Sequence, residues 1–224
     1  AHVASVKPES DRSGSTFRNC SIVNFLPAVE ELVHRGYYAL RMGSAVEDPL
    51  PYTSERVIDY ATNGRTDFLD VYLTAKCHLY LGCTSGLYSV PQIFRRPWII
   101  TNAAPLQYAA SWGPKCLILP KNYWSRDQGR NLSFRELLDS GIWLLRETEH
   151  YEERRVDLIQ NTAEEIAAVA VEMDGRLNGT WQTTDEDEEL QQQFWSYFKP
   201  PDLDSALASR MGANFLRDNR ALLE

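Results

Sequence analysis

The six residues Gly82-Cys83-Thr84-Ser85-Gly86-Leu87 form a turn of glycine, small polar residues and glycine. It follows the apolar run 78–81 and precedes a short helical pattern around 87–94. The chemistry open to such a turn is anion binding. Main-chain amides at the start of a helix have no internal partner, and glycine lets a phosphate approach the backbone closely. Thr84 and Ser85 add hydroxyl donors. The same residues also serve as a plain strand-to-helix connection with Ser85 as its N-cap. The Lys-Ser/Thr ending of a P-loop is absent.

Three further polar residues close apolar runs. Arg41 stands in Leu40-Arg41-Met42-Gly43, Asn102 in Ile99-Ile100-Thr101-Asn102, and Lys121 in Leu119-Pro120-Lys121. At the end of a buried strand Arg41 needs either an acid, Asp59 or Asp70, or an anionic ligand whose diphosphate suits its planar fork. Ligands of an open α/β sheet bind at the carboxyl ends of its strands. The candidate phosphate-binding site is therefore Arg41, Gly43, Gly82, Thr84, Ser85, Gly86, Asn102 and Lys121. Arg18 and Asn19, just before the first helix, either reach the same rim or lie in a solvent loop. Asp70, one helical turn after Thr66, is placed to orient a basic residue.

Other groups read differently. Asp185-Glu186-Asp187 fits a metal-binding DxD pattern, but a carboxylate run ahead of a helix is also an ordinary cap. His2, His34, His78 and His150 lack metal-ligand spacing. No GxSxG elbow or Cys-His nucleophile is present, so catalytic residues are not assigned. Neither a cofactor nor an obligatory metal is expected.

The elements that position these residues alternate. The stub 1–4 reads as a strand that starts at the first residue. A helix with Pro27 in its first turn runs from Asn24 to Arg35-Gly36, followed by strands at 37–42 and 57–60. A helix over 67–76, capped by Thr66, turns Phe68, Leu69, Tyr72 and Leu73 inward. Strands at 78–81, 98–101 and 116–119 complete a parallel sheet with helices on both faces. Beyond residue 130 the pattern becomes mostly helical. Capping boxes stand at Ser133–Glu136 and Thr162–Glu165, another helix spans 190–198, and a last one carries Leu207, Met211 and Phe215. The expected fold is α/β, a Rossmann-like domain over 1–146 with a helical extension over 147–224 packing on it.

Composition narrows the function classes. A hydrophobic share of 43% excludes uniform disorder, and a net charge of −8 argues against a nucleic-acid partner, which needs a basic face. The acidity gathers in 147–153, 164–174 and 185–189, leaving the N-terminal two thirds near balance and open to an anionic small ligand. The four cysteines include no CxxC pair and read as buried thiols in a reducing compartment. No apolar run reaches the ~20 residues of a membrane span. With no signal peptide either, a soluble cytoplasmic protein is expected.

The chain resembles a bacterial glycosyltransferase family of surface-carbohydrate synthesis, distantly similar to fucosyltransferase-like enzymes of the GT-B fold. The resemblance runs through Phe17-Arg18-Asn19, Asn24-Phe25-Leu26-Pro27-Ala28, Gly36-Tyr37-Tyr38-Ala39-Leu40-Arg41-Met42-Gly43 and Val57-Ile58-Asp59-Tyr60-Ala61. It continues through Asp70-Val71-Tyr72-Leu73, the turn 82–87, Pro91-Gln92-Ile93-Phe94, Thr101-Asn102 and the closing Gly212-Ala213-Asn214-Phe215-Leu216-Arg217. It departs where members carry His-Val-Arg, since His2-Val3 is followed here by Ala4. Members also have a preceding domain, which would supply the acceptor site.

The resemblance implies sugar transfer from a nucleotide diphosphate donor to a glycan or other hydroxyl acceptor. Arg41, the amides of 84–86 and Lys121 would hold the leaving diphosphate. Two other readings stand beside it: a non-catalytic nucleotide- or glycan-binding module, and a nucleotide-sugar epimerase or hydrolase.

Overall fold

A computed structural model describes residues 14, 16–44, 46, 48–108, 113–198 and 208–224. The stub 1–4, including His2 and Ala4, and Leu207 lie outside the described residues. The chain is α/β, with a four-stranded parallel sheet at its centre, an architecture compatible with a Rossmann-like fold.

Serine and proline set the first helix. Ser21 accepts from the Val23 amide and opens a 3-10 turn at Ile22–Phe25. The turn runs into α1 (Leu26–His34), where Pro27 falls in the first turn and removes no internal bond. The expected strands at 37–42 and 57–60 shorten to β1 (Ala39–Leu40) and β2 (Val57–Ile58), which pair in parallel. Beyond Ile58 the chain turns back, with Asn63 N donating to Tyr60 O at 3.2 Å.

Helix α2 (Asp67–Lys76) starts where Thr66 accepts from the Leu69 amide. Its inward face differs from the expectation. Phe68 is 72% exposed and stacks on exposed Tyr72, while Thr74 and Ala75 are buried. The side that meets the protein takes small residues, and the aromatic stripe faces out.

The main sheet has the order β3-β4-β5-β9, with β3 (Tyr80–Gly82), β4 (Trp98–Ala103), β5 (Cys116–Pro120) and β9 (Arg210–Met211) all parallel. Every residue of β3, β4 and β5 is buried, as expected of strands covered on both faces. β9 corrects the expected last helix. Met211 pairs with Ile118, and the helix α8 (Ala213–Asp218) begins only after Gly212. The side chain of Gln191 donates to Met211 O at 2.7 Å and accepts from Met211 N at 3.0 Å, so it covers this edge as another strand would.

A second correction lies between residues 122 and 159. β6 (Asn122–Ser125), β7 (Arg130–Asn131) and β8 (Val156–Ile159) form an antiparallel sheet of order β7-β6-β8. The part beyond residue 146 thus supplies β8 to this sheet and β9 to the main one, besides its helices. The capping boxes at Ser133–Glu136 and Thr162–Glu165 both form, opening α4 (Phe134–Asp139) and α6 (Ala163–Asn178), with α5 (Thr148–Glu153) between them. Thr184 and Asp187 make a third, ahead of α7 (Asp185–Ser196). Helix α6 packs along α1 and over β4 and β5, and α8 rests on α6 and α7; α2 packs instead with α3 (Ser89–Ile93). Among the described residues no helix is long and apolar enough to cross a membrane.

Candidate functional site

The turn 82–87 sits at the carboxyl end of β3 and is tied to β4 by two hydroxyls. Thr101 donates to Gly82 O at 3.3 Å, and Thr84 donates to Ala104 O at 3.4 Å. Ser85 makes no capping bond. Its hydroxyl faces that of Tyr80, whose phenol burial holds well above its ordinary pKa. The chain then makes a 3-10 turn at Gly86–Tyr88 before the five-residue α3. A helix this short carries little dipole, so individual amides and hydroxyls must do any anion binding here.

Gly86 is the informative member. A Cβ added there would meet no atom within 4 Å, and its φ lies outside the left-handed region. Neither packing nor backbone conformation calls for glycine at this position. Open space over a main-chain amide is what a ligand group needs.

Asn102 and Lys121 end the neighbouring strands, as expected, but both side chains are engaged inside the protein. Asn102 is fully buried in the left-handed region at φ 51, a conformation asparagine tolerates better than most residues. It exchanges bonds with Asn161: its amide donates to Asn161 Oδ1 at 2.6 Å, and its Oδ1 accepts from the Asn161 amide at 2.8 Å. Asn161 Nδ2 reaches Pro120 O at 2.8 Å and so locks the ends of β4 and β5 together.

Lys121 is 3% exposed, and its ammonium donates to Phe17 O at 2.8 Å and Asn19 O at 2.7 Å. Burial lowers its pKa to about 8, opposed by the neighbouring Cys20 and Cys83. The lysine therefore clamps residues 17–19 onto the rim. Arg18, between the two held carbonyls, is carried there with its guanidinium over the Phe17 ring at 5.7 Å. Asn19 contributes its carbonyl and leaves its side chain exposed.

Arg41 takes the ion-pair alternative. Its guanidinium meets Asp59 Oδ2 at 3.2 Å and Asp48 O at 2.7 Å, and the same Asp59 oxygen accepts from Leu50 N at 2.8 Å. The arginine thus fastens the loop 48–50 to β2, and buried Gly43 follows two residues later. Asp70 pairs with Arg65 at 2.7 Å. Among the described residues no hydrogen bond or ion pair joins Arg41 or Asp70 to the turn. The rim brought together is 82–86, Asn102, Lys121 and the loop 17–19.

The carboxylates at 185–188 act as caps and ion-pair partners: Asp187 meets Arg217, Glu186 meets Arg220, and Glu188 meets Arg210. Among the described residues no group of three or more His, Cys, Asp or Glu side chains is placed to hold a metal ion. The four cysteines are thiols outside any disulfide.

Sequence reasoning missed Asn161, which precedes the Thr162 capping box. The signal was topological: a polar residue between an apolar run and a helix start holds the same kind of position as the turn itself. Comparison of the chain with protein-family models, with curated proteins and with solved structures returns no match.

Proposed function

We propose that the chain is the donor-binding part of a glycosyltransferase that passes a sugar from a nucleotide diphosphate to a hydroxyl acceptor in surface glycan synthesis. The observation that carries the reading is the open main chain at Gly86, beside Thr84 and Ser85 on the rim of a parallel sheet. The family resemblance runs through the same turn and supplies the reaction class. In this reading the amides of 84–86 and the guanidinium of Arg18 hold the leaving diphosphate, while Arg41, Asn102 and Lys121 fix the rim. The donor half has the GT-B architecture, and the acceptor site and the base come from a further domain of a longer chain. This reading calls for no cofactor and no obligatory metal.

A binding module without catalysis is the second reading. It is favoured by the engagement of Arg41, Asn102 and Lys121 in internal bonds. Thermal unfolding with GDP-, UDP-, CMP- and dTDP-sugars tests whether either reading holds. A ligand at a hundred times its Kd stabilises by about 2.7 kcal/mol, which raises the melting temperature by roughly 5 °C or more in a chain of this size. Failure of every nucleotide sugar to shift the melt rules out the donor site. Hydrolysis or transfer of the sugar that binds separates the enzyme from the module.

A further inference from the structure

Helices α2 and α3 pack together, apart from the pair α1 and α6, and both leave apolar side chains in solvent. On α2 these are Phe68, Val71 and Tyr72; at the end of α3 they are Ile93 and the next residue, Phe94. Phe68 and Ile93 are 72% and 73% exposed, and the Phe68 ring stacks on Tyr72 at 5.8 Å. Arg96 holds the two groups side by side, since its Nε donates to Ala75 O, in the last turn of α2, at 2.7 Å. The five side chains expose on the order of 500 Å² of apolar surface, in the upper part of the ~300–600 Å² range for the largest patch on a monomer.

The charges beside this patch differ between its two ends. The start of α2 carries Arg65 between Asp67 and Asp70, one cation against two carboxylates. The far end carries the cations Lys76, Arg95 and Arg96. A copy of the chain turned about a two-fold axis at Val71 and Tyr72 meets the patch with its ends exchanged. Asp67, whose side chain is 94% exposed, then faces the exposed Lys76 of the second copy, because each lies about 7 Å along the helix from the axis. An axis running along the helix would instead set like ends together.

We propose that α2 and α3 form the self-association face of this chain, on which a second copy docks two-fold with its α2 antiparallel. Val71 and Tyr72 of the two copies meet at the axis. Phe68 of each reaches the last turn of the other's α2, where buried Ala75 is small, beside Ile93 and Phe94. Covered on both copies, the patch buries about 1,000 Å², the area a specific interface must clear, before the rim at Asp67 and Lys76 is counted. The buried faces of both helices stay on their own chain, so each copy folds alone and association follows. Sugar transfer is not required for this docking, and either can hold without the other.

Sedimentation velocity of the unaltered chain, from about 1 to 100 μM, tests it and is expected to show twice the mass of one chain at the upper end. Phe68→Glu and, on the other helix, Ile93→Glu are each expected to weaken association at least about tenfold while leaving thermal unfolding of the monomer nearly unchanged. Lys76→Glu opposes two acids across the axis and is expected to weaken it as well; adding Asp67→Lys to that variant is expected to restore it. A single-chain mass at every concentration would overturn the proposal and leave the face to a different partner. A dimer that both apolar variants leave intact would overturn it too, since another face would then be in use. Absence of rescue in the charge exchange would overturn the antiparallel docking. Should Phe68→Glu fail to fold, Ile93→Glu and the unaltered chain still decide.

Discussion

Asn102 and Asn161 hold each other through reciprocal main-chain to side-chain bonds of 2.6 and 2.8 Å, and both residues are buried. The pair joins the end of β4 to the residue before the Thr162 cap of α6, and through Pro120 O it also includes β5. Asn161→Ala leaves the Asn102 amide and the Pro120 carbonyl without these bonds. A loss of about 2–4 kcal/mol is expected in urea unfolding, with the m-value unchanged. A loss under about 0.5 kcal/mol would mean the pair does not hold the rim.

Arg41 and Asp59 make a second test. Both side chains are largely buried, so Arg41→Met strands a carboxylate and is expected to cost about 3 kcal/mol. Asp59→Leu strands a guanidinium in the same way. The double variant is expected to lose clearly less than the sum of the two, because no lone charge remains. Additive losses would contradict the pairing.

Lys121 gives stability a distinctive pH dependence. Its pKa falls from 10.5 to about 8 on folding, so between those values the unfolded chain binds more protons than the folded one. Stability contributed at this site therefore rises with pH through that window and is lowest below pH 8. Half-buried Cys77 and buried Cys116, whose thiols burial pushes up, act in the opposite direction but equally in a Lys121→Met variant. Subtracting the variant's unfolding free energy from that of the unaltered chain isolates the lysine. The difference is expected to grow by on the order of 2 kcal/mol from pH 8 to pH 10. A flat difference would place the ammonium in water.

Glu136 works at the acid end. Arg130, followed by the Ser133 amide, lowers its carboxyl to about 2. Its contribution is whole above its ordinary 4.5 and fades as pH falls toward 2. Glu136→Gln is expected to flatten acid unfolding over that interval while changing stability little at pH 3 or below; an unchanged acid limb would remove the bridge from the account.

Local chemistry made much of this legible from the chain. Thr66, Ser133 and Thr162 announce their helices because a hydroxyl three residues before a free amide acts without tertiary help. The runs at 98–101 and 116–119 read as buried strands because every residue in them but Thr101 is apolar. Tertiary partners decided what stayed hidden. Arg210–Met211 is too short to show a period, and only Ile118 and Gln191 make it a strand. Phe68 and Tyr72 fit an inward stripe as well as an outward one, and the narrow seat at Thr74 and Ala75 chose the latter. At the rim, the positions of Asn102 and Lys121 followed from strand ends, but their partners Asn161, Phe17 and Asn19 lie 59, 104 and 102 residues away.

Gly86 tests the central claim most directly. Because a side chain there meets open space, Gly86→Leu is expected to leave unfolding stability within about 0.5 kcal/mol. If the amide beneath it faces the donor diphosphate, the same variant obstructs the ligand. Calorimetric titration with the nucleotide sugar that stabilises the unaltered chain is expected to show binding that falls at least tenfold, or about 1.4 kcal/mol, in Gly86→Leu. Equal affinity in the two proteins, at equal stability, would contradict a donor site at this turn.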